Sequence, residues 1–125
     1  MNIVEPILFQ ARHDPPAPAM CAPGTALGIV SYARLARFIH SVGHRAIRAG
    51  IAPRHVVAIQ VKDHIFHTAL ALGLMHIGAA TVSVGDTFPP GLRVNVIVTD
   101  TPQSFGNGKS AKVVPVDMSW MSGKG

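Results

Sequence analysis

Between residues 31 and 84 the apolar positions change their spacing three times, and the spacings predict helix, strand, helix and strand in turn. At about 100° per residue, Tyr32, Leu35, Ala36, Phe38, Ile39, Val42, Ala46 and Ile47 fall on one half of a cylinder. Arg34, Arg37, His40, Ser41, His44, Arg45 and Arg48 fall on the other. This predicts a helix over 32–49 with one face on a sheet and the other in water. Ser31 precedes it as an N-cap able to accept from first-turn amides, and Gly50 follows where a left-handed residue ends a helix.

After Pro53 the helical period disappears. Residues 56–61 are apolar and β-branched almost without interruption, as a central parallel strand covered on both faces requires. Over 65–77 the apolar residues Ile65, Phe66, Leu70, Leu72, Leu74, Met75 and Ile77 surround the helix, which must therefore be buried between layers or beneath another domain. Gly78 stops it, and residues 80–84 return to strand character. Strand, crossover helix and parallel strand in that order form a right-handed unit.

Outside this stretch the pattern weakens. A short apolar segment over 3–9 runs into Pro15, Pro16, Pro18 and Pro23; proline fixes φ and removes a donor, so no regular element is expected there. Residues 25–30 read as a short strand feeding the first helix and 94–99 as a further strand. A polar turn follows over 104–110, and then a strand over 113–116 that Pro115 confines to an edge. The fold class is α/β, a small two- or three-layer Rossmann-like unit with a largely parallel sheet. It divides into a Pro-rich segment 1–24, an α/β subdomain 25–118 and a frayed tail 119–125.

Composition changes this picture in one respect. The chain has 125 residues, 48% hydrophobic and only 14% charged, more apolar than one domain of this size needs, so some apolar surface should require a partner. The charge-free run 65–84 contains His67, His76, Gly73 and Gly78 and switches between helix and strand character, which fits a soluble core and no membrane span. Glu5, the missing basic start and Pro6 exclude a secretory signal, so the cytoplasm is expected. Cys21 is the single cysteine, a loop thiol without a disulfide or zinc partner.

A net charge of +5 raises the question of nucleic acid, but Arg34, Arg37, Arg45 and Arg48 come with few aromatics and no recognition motif. They read as a solvated helix face, and no nucleic-acid partner is expected. His40 and His44, four apart, and His64 and His67, three apart, have spacings that can place two imidazoles on one metal. Neither pair has an evident third ligand, and solvated polar residues are the simpler reading. Gly108-Lys109-Ser110 imitates the end of a phosphate-binding loop, yet its first glycine should stand at Gln103 and a strand pattern follows where a helix is required. Asp63, Asp86, Asp100 and Asp117 lie just beyond apolar strands, where parallel sheets bind ligands and where caps also sit. No catalytic, cofactor-binding or metal residue is assigned.

The segment Ser31-Tyr32-Ala33-Arg34-Leu35 resembles the Thr/Ser-Tyr-x-x-Leu opening of the first helix in adenylate-forming enzymes, the superfamily of acyl-CoA synthetases, luciferases and adenylation domains. Ala49-Gly50-Ile51 followed by Val56-Val57-Ala58-Ile59 is similar to that family's turn and first core strand, and residues 69–84, with Gly78-Ala79, resemble the next helix and its Ala-Gly-Ala turn. About half the chain is covered. Arg54-His55 stands where the family has Gly-Asp, Val82-Ser83-Val84-Gly85-Asp86 replaces a Pro-rich stretch, and the following helix shrinks to 88–93.

The resemblance implies an incomplete part of a larger lobe, from an enzyme that makes an acyl-adenylate from ATP and an acid and passes it to CoA or another thiol. ATP, Mg and CoA are implied for the full-length parent, and none for this chain. The Ser/Thr/Gly-rich phosphate loop, the aromatic-Glu adenine segment, the ribose-binding Asp and the catalytic Lys find no counterpart, so no active-site residue carries over. The leading expectation is an N-terminal structural portion of an AMP-forming carboxylate–CoA ligase, inactive in adenylation alone. Its partner is then the remainder of the ligase fold or further copies of itself, as a dimer or larger. A non-enzymatic self-associating assembly module and a small nucleotide-binding α/β protein are the alternatives.

Overall fold

The computed structural model describes residues 4–22, 28–85, 93–101 and 111–121. In chain order the elements are helix α1 (Val4–His13), strands β1 (Pro18–Ala22) and β2 (Gly28–Ser31), helix α2 (Tyr32–Arg48), strand β3 (Val56–Gln60) and helix α3 (His64–His76). Strands β4 (Ala80–Ser83), β5 (Val96–Thr99) and β6 (Lys112–Pro115) and a 3₁₀ turn (Met118–Met121) complete them. Strands β3 to β6 form one parallel sheet in the order β4-β3-β5-β6. The fold is α/β, with β3 and β5 central and Pro115 on an edge strand as its missing donor requires.

The central strands are buried on both faces. Val57, Ile59, Val96 and Val98 join the core formed with α2 and α3, while Ala58 and Ile97, alternating with them, are also fully buried. Helix α3 carries Ile65, Phe66, Ala69, Leu70, Leu72 and Leu74 buried and no exposed residue after His64, as its all-round apolar sequence demands. Both helix stops are glycines in the left-handed region, Gly50 at φ 90° and Gly78 at φ 93°. At the other end of α2, Ser31 Oγ accepts from Arg34 N at 3.2 Å.

Helices α2 and α3 approach at two glycines. A Cβ on Gly73 would stand 2.5 Å from Val42 Cγ1 and 3.1 Å from Ile39 O, and one on Gly43 would stand 3.2 Å from Ile77 Cγ2. On α2 the buried stripe differs from the periodic expectation at two positions. Ser41 is buried because its hydroxyl donates to Trp120 O at 2.6 Å, and Ile47 is 59% exposed.

Three expectations are corrected. The Pro-rich segment 1–24 does hold regular structure: α1 spans the apolar run, with Pro6 harmless in the first turn and Arg12 and His13 in the last turn complementing the helix dipole. Strand β1 pairs antiparallel with β2, and Pro18 heads it, the position a proline tolerates; Cys21 is an exposed strand thiol and not a loop thiol. The tail is not frayed from residue 119. Trp120 and Met121 are 5% and 6% exposed, folded back on α2 by the Ser41 hydrogen bond and by Arg45, whose guanidinium lies 5.6 Å from the indole centroid. The expected turn 104–110 and nearly all of the shortened helix 88–93 lie outside the described residues.

Candidate functional site

The carboxyl edge of a parallel sheet is where loops leave the strands and where backbone dipoles and helix N-termini converge. Here Gln60, Ser83 and Thr99 end three adjacent strands, and Gln60 and Thr99 carry a connected polar network. Thr99, fully buried, donates from Oγ1 to Gln60 Oε1 at 2.8 Å and accepts from Thr101 N at 3.0 Å. Gln60 Nε2 donates to Gly85 O at 3.1 Å, so one side chain ties the ends of β3 and β5 to the chain leaving β4. Among the described residues no buried side-chain polar atom lacks a partner.

Beside this network His67, on the first turns of α3, bridges two strands. Its Nδ1 lies 2.9 Å from Val61 O, and a carbonyl only accepts, so Nδ1 carries the proton. In the neutral ring Nε2 then accepts from the Ser83 hydroxyl at 2.7 Å. Hydroxyl, imidazole and a carbonyl orienting the imidazole stand in the order that activates a serine nucleophile. The same contacts fasten α3 to β4 and to the end of β3. Acyl transfer would further demand donors aimed at an oxyanion.

The four acids at the strand ends separate into different uses. Asp63 is the N-cap of α3, its Oδ1 accepting from Phe66 N at 2.9 Å. Asp117 accepts from Ser119 N at 2.9 Å and also from the Ser119 hydroxyl. The Ser119 side chain, then its backbone amide, hold the Asp117 carboxyl below the usual carboxylate range, with Arg45 adding a smaller attraction. Asp100 is exposed beyond β5, and Asp86 lies outside the described residues, as does Gly108-Lys109-Ser110.

The histidine spacings resolve differently from their expected pairs. His67 is engaged with Val61 and Ser83, away from a shared site with His64, while His40 faces His76 across the two helices with ring centroids 5.1 Å apart. Of the basic residues on α2, Arg34 lies over Phe38 and donates to Ile29 O at 3.4 Å, and Arg45 lies over Trp120, whereas Arg37 and Arg48 are exposed. The positions that sequence reasoning missed are Gln60, Thr99 and Ser83. A polar residue closing each of three apolar strands was the available signal.

A four-stranded parallel sheet with a buried crossover helix, preceded by an antiparallel ribbon and an amphipathic helix, is the fold of the N-terminal segment of adenylate-forming enzymes. Solved adenylation domains of nonribosomal peptide synthetases share it. NpsA of Klebsiella oxytoca in complex with 3-hydroxyanthranilyl-AMSN matches with a TM-score of 0.79 at 18% identity, over 98% of this chain and 26% of that one. Its N-terminal subdomain in complex with anthranilyl-AMSN gives 0.80 at 17% identity, over 97% and 32%. FmoA3, a nonribosomal peptide synthetase in an alpha-methyl-L-serine-AMP bound form, gives 0.75 at 21%, over 96% and 14%.

Among curated proteins, the nonribosomal peptide synthase roqA of Penicillium rubens is 32% identical over 83 residues, which is 66% of this chain and 3% of that protein. Nonribosomal peptide synthetase 5 of Gibberella zeae is 29% identical over 91 residues, 73% of this chain and 1% of its own length. The chain thus spans a few per cent of the curated relatives it matches. No family model matches it.

Proposed function

We propose that this chain supplies the first sheet strands and covering helices of a carboxylate-activating, AMP-forming ligase, and that its role there is architectural. The single observation that carries this reading is the match of nearly the whole chain, 97%, to an N-terminal adenylation subdomain of which it covers 32%. The relatives' names favour a carrier-protein thiol over CoA as the acceptor in the parent reaction.

Architecture supports the assignment in physical terms. Strands β4 and β6 are the sheet's edges, and Phe9, Ile29, Ile47 and Met118 are exposed apolar side chains, surface that further chain would cover. The remainder of the ligase is the first partner proposed; without it, self-association into a dimer or larger species takes its place. No helix among the described residues is long and apolar enough to cross a membrane, and the cytoplasm is the compartment we infer. The test is carboxylate-dependent pyrophosphate release from ATP by this chain alone across an amino- and aryl-acid panel. The expected result is no turnover, whereas saturable turnover would sink the architectural reading.

A further inference from the structure

We propose that His40 and His76 form a two-point site for an imidazole-seeking divalent ion, Cu²⁺, Ni²⁺ or Zn²⁺, which on binding staples α2 to α3. The two rings come from different helices, with centroids 5.1 Å apart and planes at 87°. A metal–nitrogen bond of about 2.0–2.1 Å places each imidazole centroid roughly 3.2 Å from the ion, so two cis ligands at angles of about 90–110° have centroids about 4.5–5.2 Å apart. The observed separation falls at the tetrahedral end of that range. His40 is exposed and His76 half-buried, so the site is open to solvent.

The backbone contributes to this approach. Gly43 lies on α2 one turn beyond His40, and the position its Cβ would occupy is 3.8 Å from His76 Cδ2, so the glycine lets the last turn of α3 lie close against α2. Among the described residues no three His, Cys, Asp or Glu side chains are grouped to hold one ion, so water completes the coordination and affinity is modest. Arg12 and Arg37 line the groove beside His40. Their charge opposes any cation, and only an ion with a strong imidazole bond overcomes it; Mg²⁺ and Ca²⁺, which take oxygen ligands, do not.

The test is isothermal titration of the full chain, stripped of metal, with CuCl₂, ZnCl₂ and MgCl₂. The expected outcome is saturable binding of Cu²⁺ tighter than Zn²⁺ and none of Mg²⁺. His40→Ala and His76→Gln should each weaken binding by about tenfold, and the double variant no further, because both remove the same chelate. His44→Ala, which spares the interhelical pair, should keep affinity within about threefold. His40 is on the exposed face of its helix, so His40→Ala retains the fold and decides the matter even if His76→Gln does not. Unchanged affinity in His76→Gln, loss in His44→Ala, or no saturable binding to the unaltered chain would each overturn the proposal.

Discussion

Gly73→Ala should destabilise the chain although it places the best helix former in the middle of a helix. Alanine is worth about 1 kcal/mol over glycine in a helix interior. Against this, the new methyl would lie 2.5 Å from Val42 Cγ1, 2.6 Å from Val42 Cβ and 3.1 Å from Ile39 O, where carbon–carbon contacts are comfortable at about 3.5–4.0 Å. Rotating the valine relieves only the first, because its Cβ and the Ile39 carbonyl are fixed to the backbone of α2. The helices must part by roughly 1 Å along a seam that includes Ile39, Val42, Leu70 and Leu74, and overpacking of that kind costs about 1–3 kcal/mol or more. We expect a net loss of about 1–2 kcal/mol, or a Tm lower by about 4–8 °C in a chain of this size.

Gly43→Ala is the control, since it gains the same propensity and its one tight contact is the Ile77 Cγ2 methyl at 3.2 Å, with Gly73 O at 3.5 Å and His76 Cδ2 at 3.8 Å in ordinary contact; it should change stability by less than about 0.5 kcal/mol. Urea unfolding followed by circular dichroism at 222 nm measures both. Val42→Ala in the Gly73→Ala background should restore only part of the loss, because the Cβ clash persists. Equal stability of the two glycine variants would refute the close seam between α2 and α3.

Two further outcomes follow from the carboxyl end of the chain. Ser41→Ala removes a buried donor to Trp120 O and should cost about 1–2 kcal/mol, and emission from Trp120, the single tryptophan, should shift to the red as the 3₁₀ turn detaches; unchanged emission would contradict the docked tail. The folded carboxyl of Asp117 titrates below its unfolded value, so its contribution is present above about pH 4 and lost as pH falls through the folded value. Asp117→Asn should lower Tm slightly at pH 7, with the difference from the unaltered chain closing as the pH falls below the ordinary carboxylate range; a gap that widens on acidification would reverse the assignment.

Where local physics acts alone, the fold was legible in the chain. Ser31, Gly50 and Gly78 mark helix ends through their own backbone and side-chain chemistry, and the apolar run of β3 needs two covered faces wherever it is placed. Strand β1 was not legible, because the prolines that argue against an internal strand are acceptable at the head of a two-stranded ribbon, and the pairing with β2 is what creates that ribbon. Ser41 and Ile47 exchange their expected surroundings for a similar reason: the 3₁₀ turn returns to one side of α2, buries the serine with its hydroxyl bonded to Trp120 O, and leaves the isoleucine outside.

The candidate site was the least legible part. Aspartates at strand ends signal a ligand edge and a helix cap with the same residue, and Asp63 and Asp117 turn out to be occupied with backbone and hydroxyl donors. The network that does join the strand ends runs through Gln60, Thr99 and Gly85, residues with no catalytic spacing to betray them. The histidines show the same limit. Helical spacing pairs His40 with His44, but only the packing of α3 on α2, permitted by two glycines, brings His76 to the facing position. Chemistry that depends on which helix lies beside which is written in the fit between Gly73 and Val42, and the periodicity of either helix read alone does not contain it.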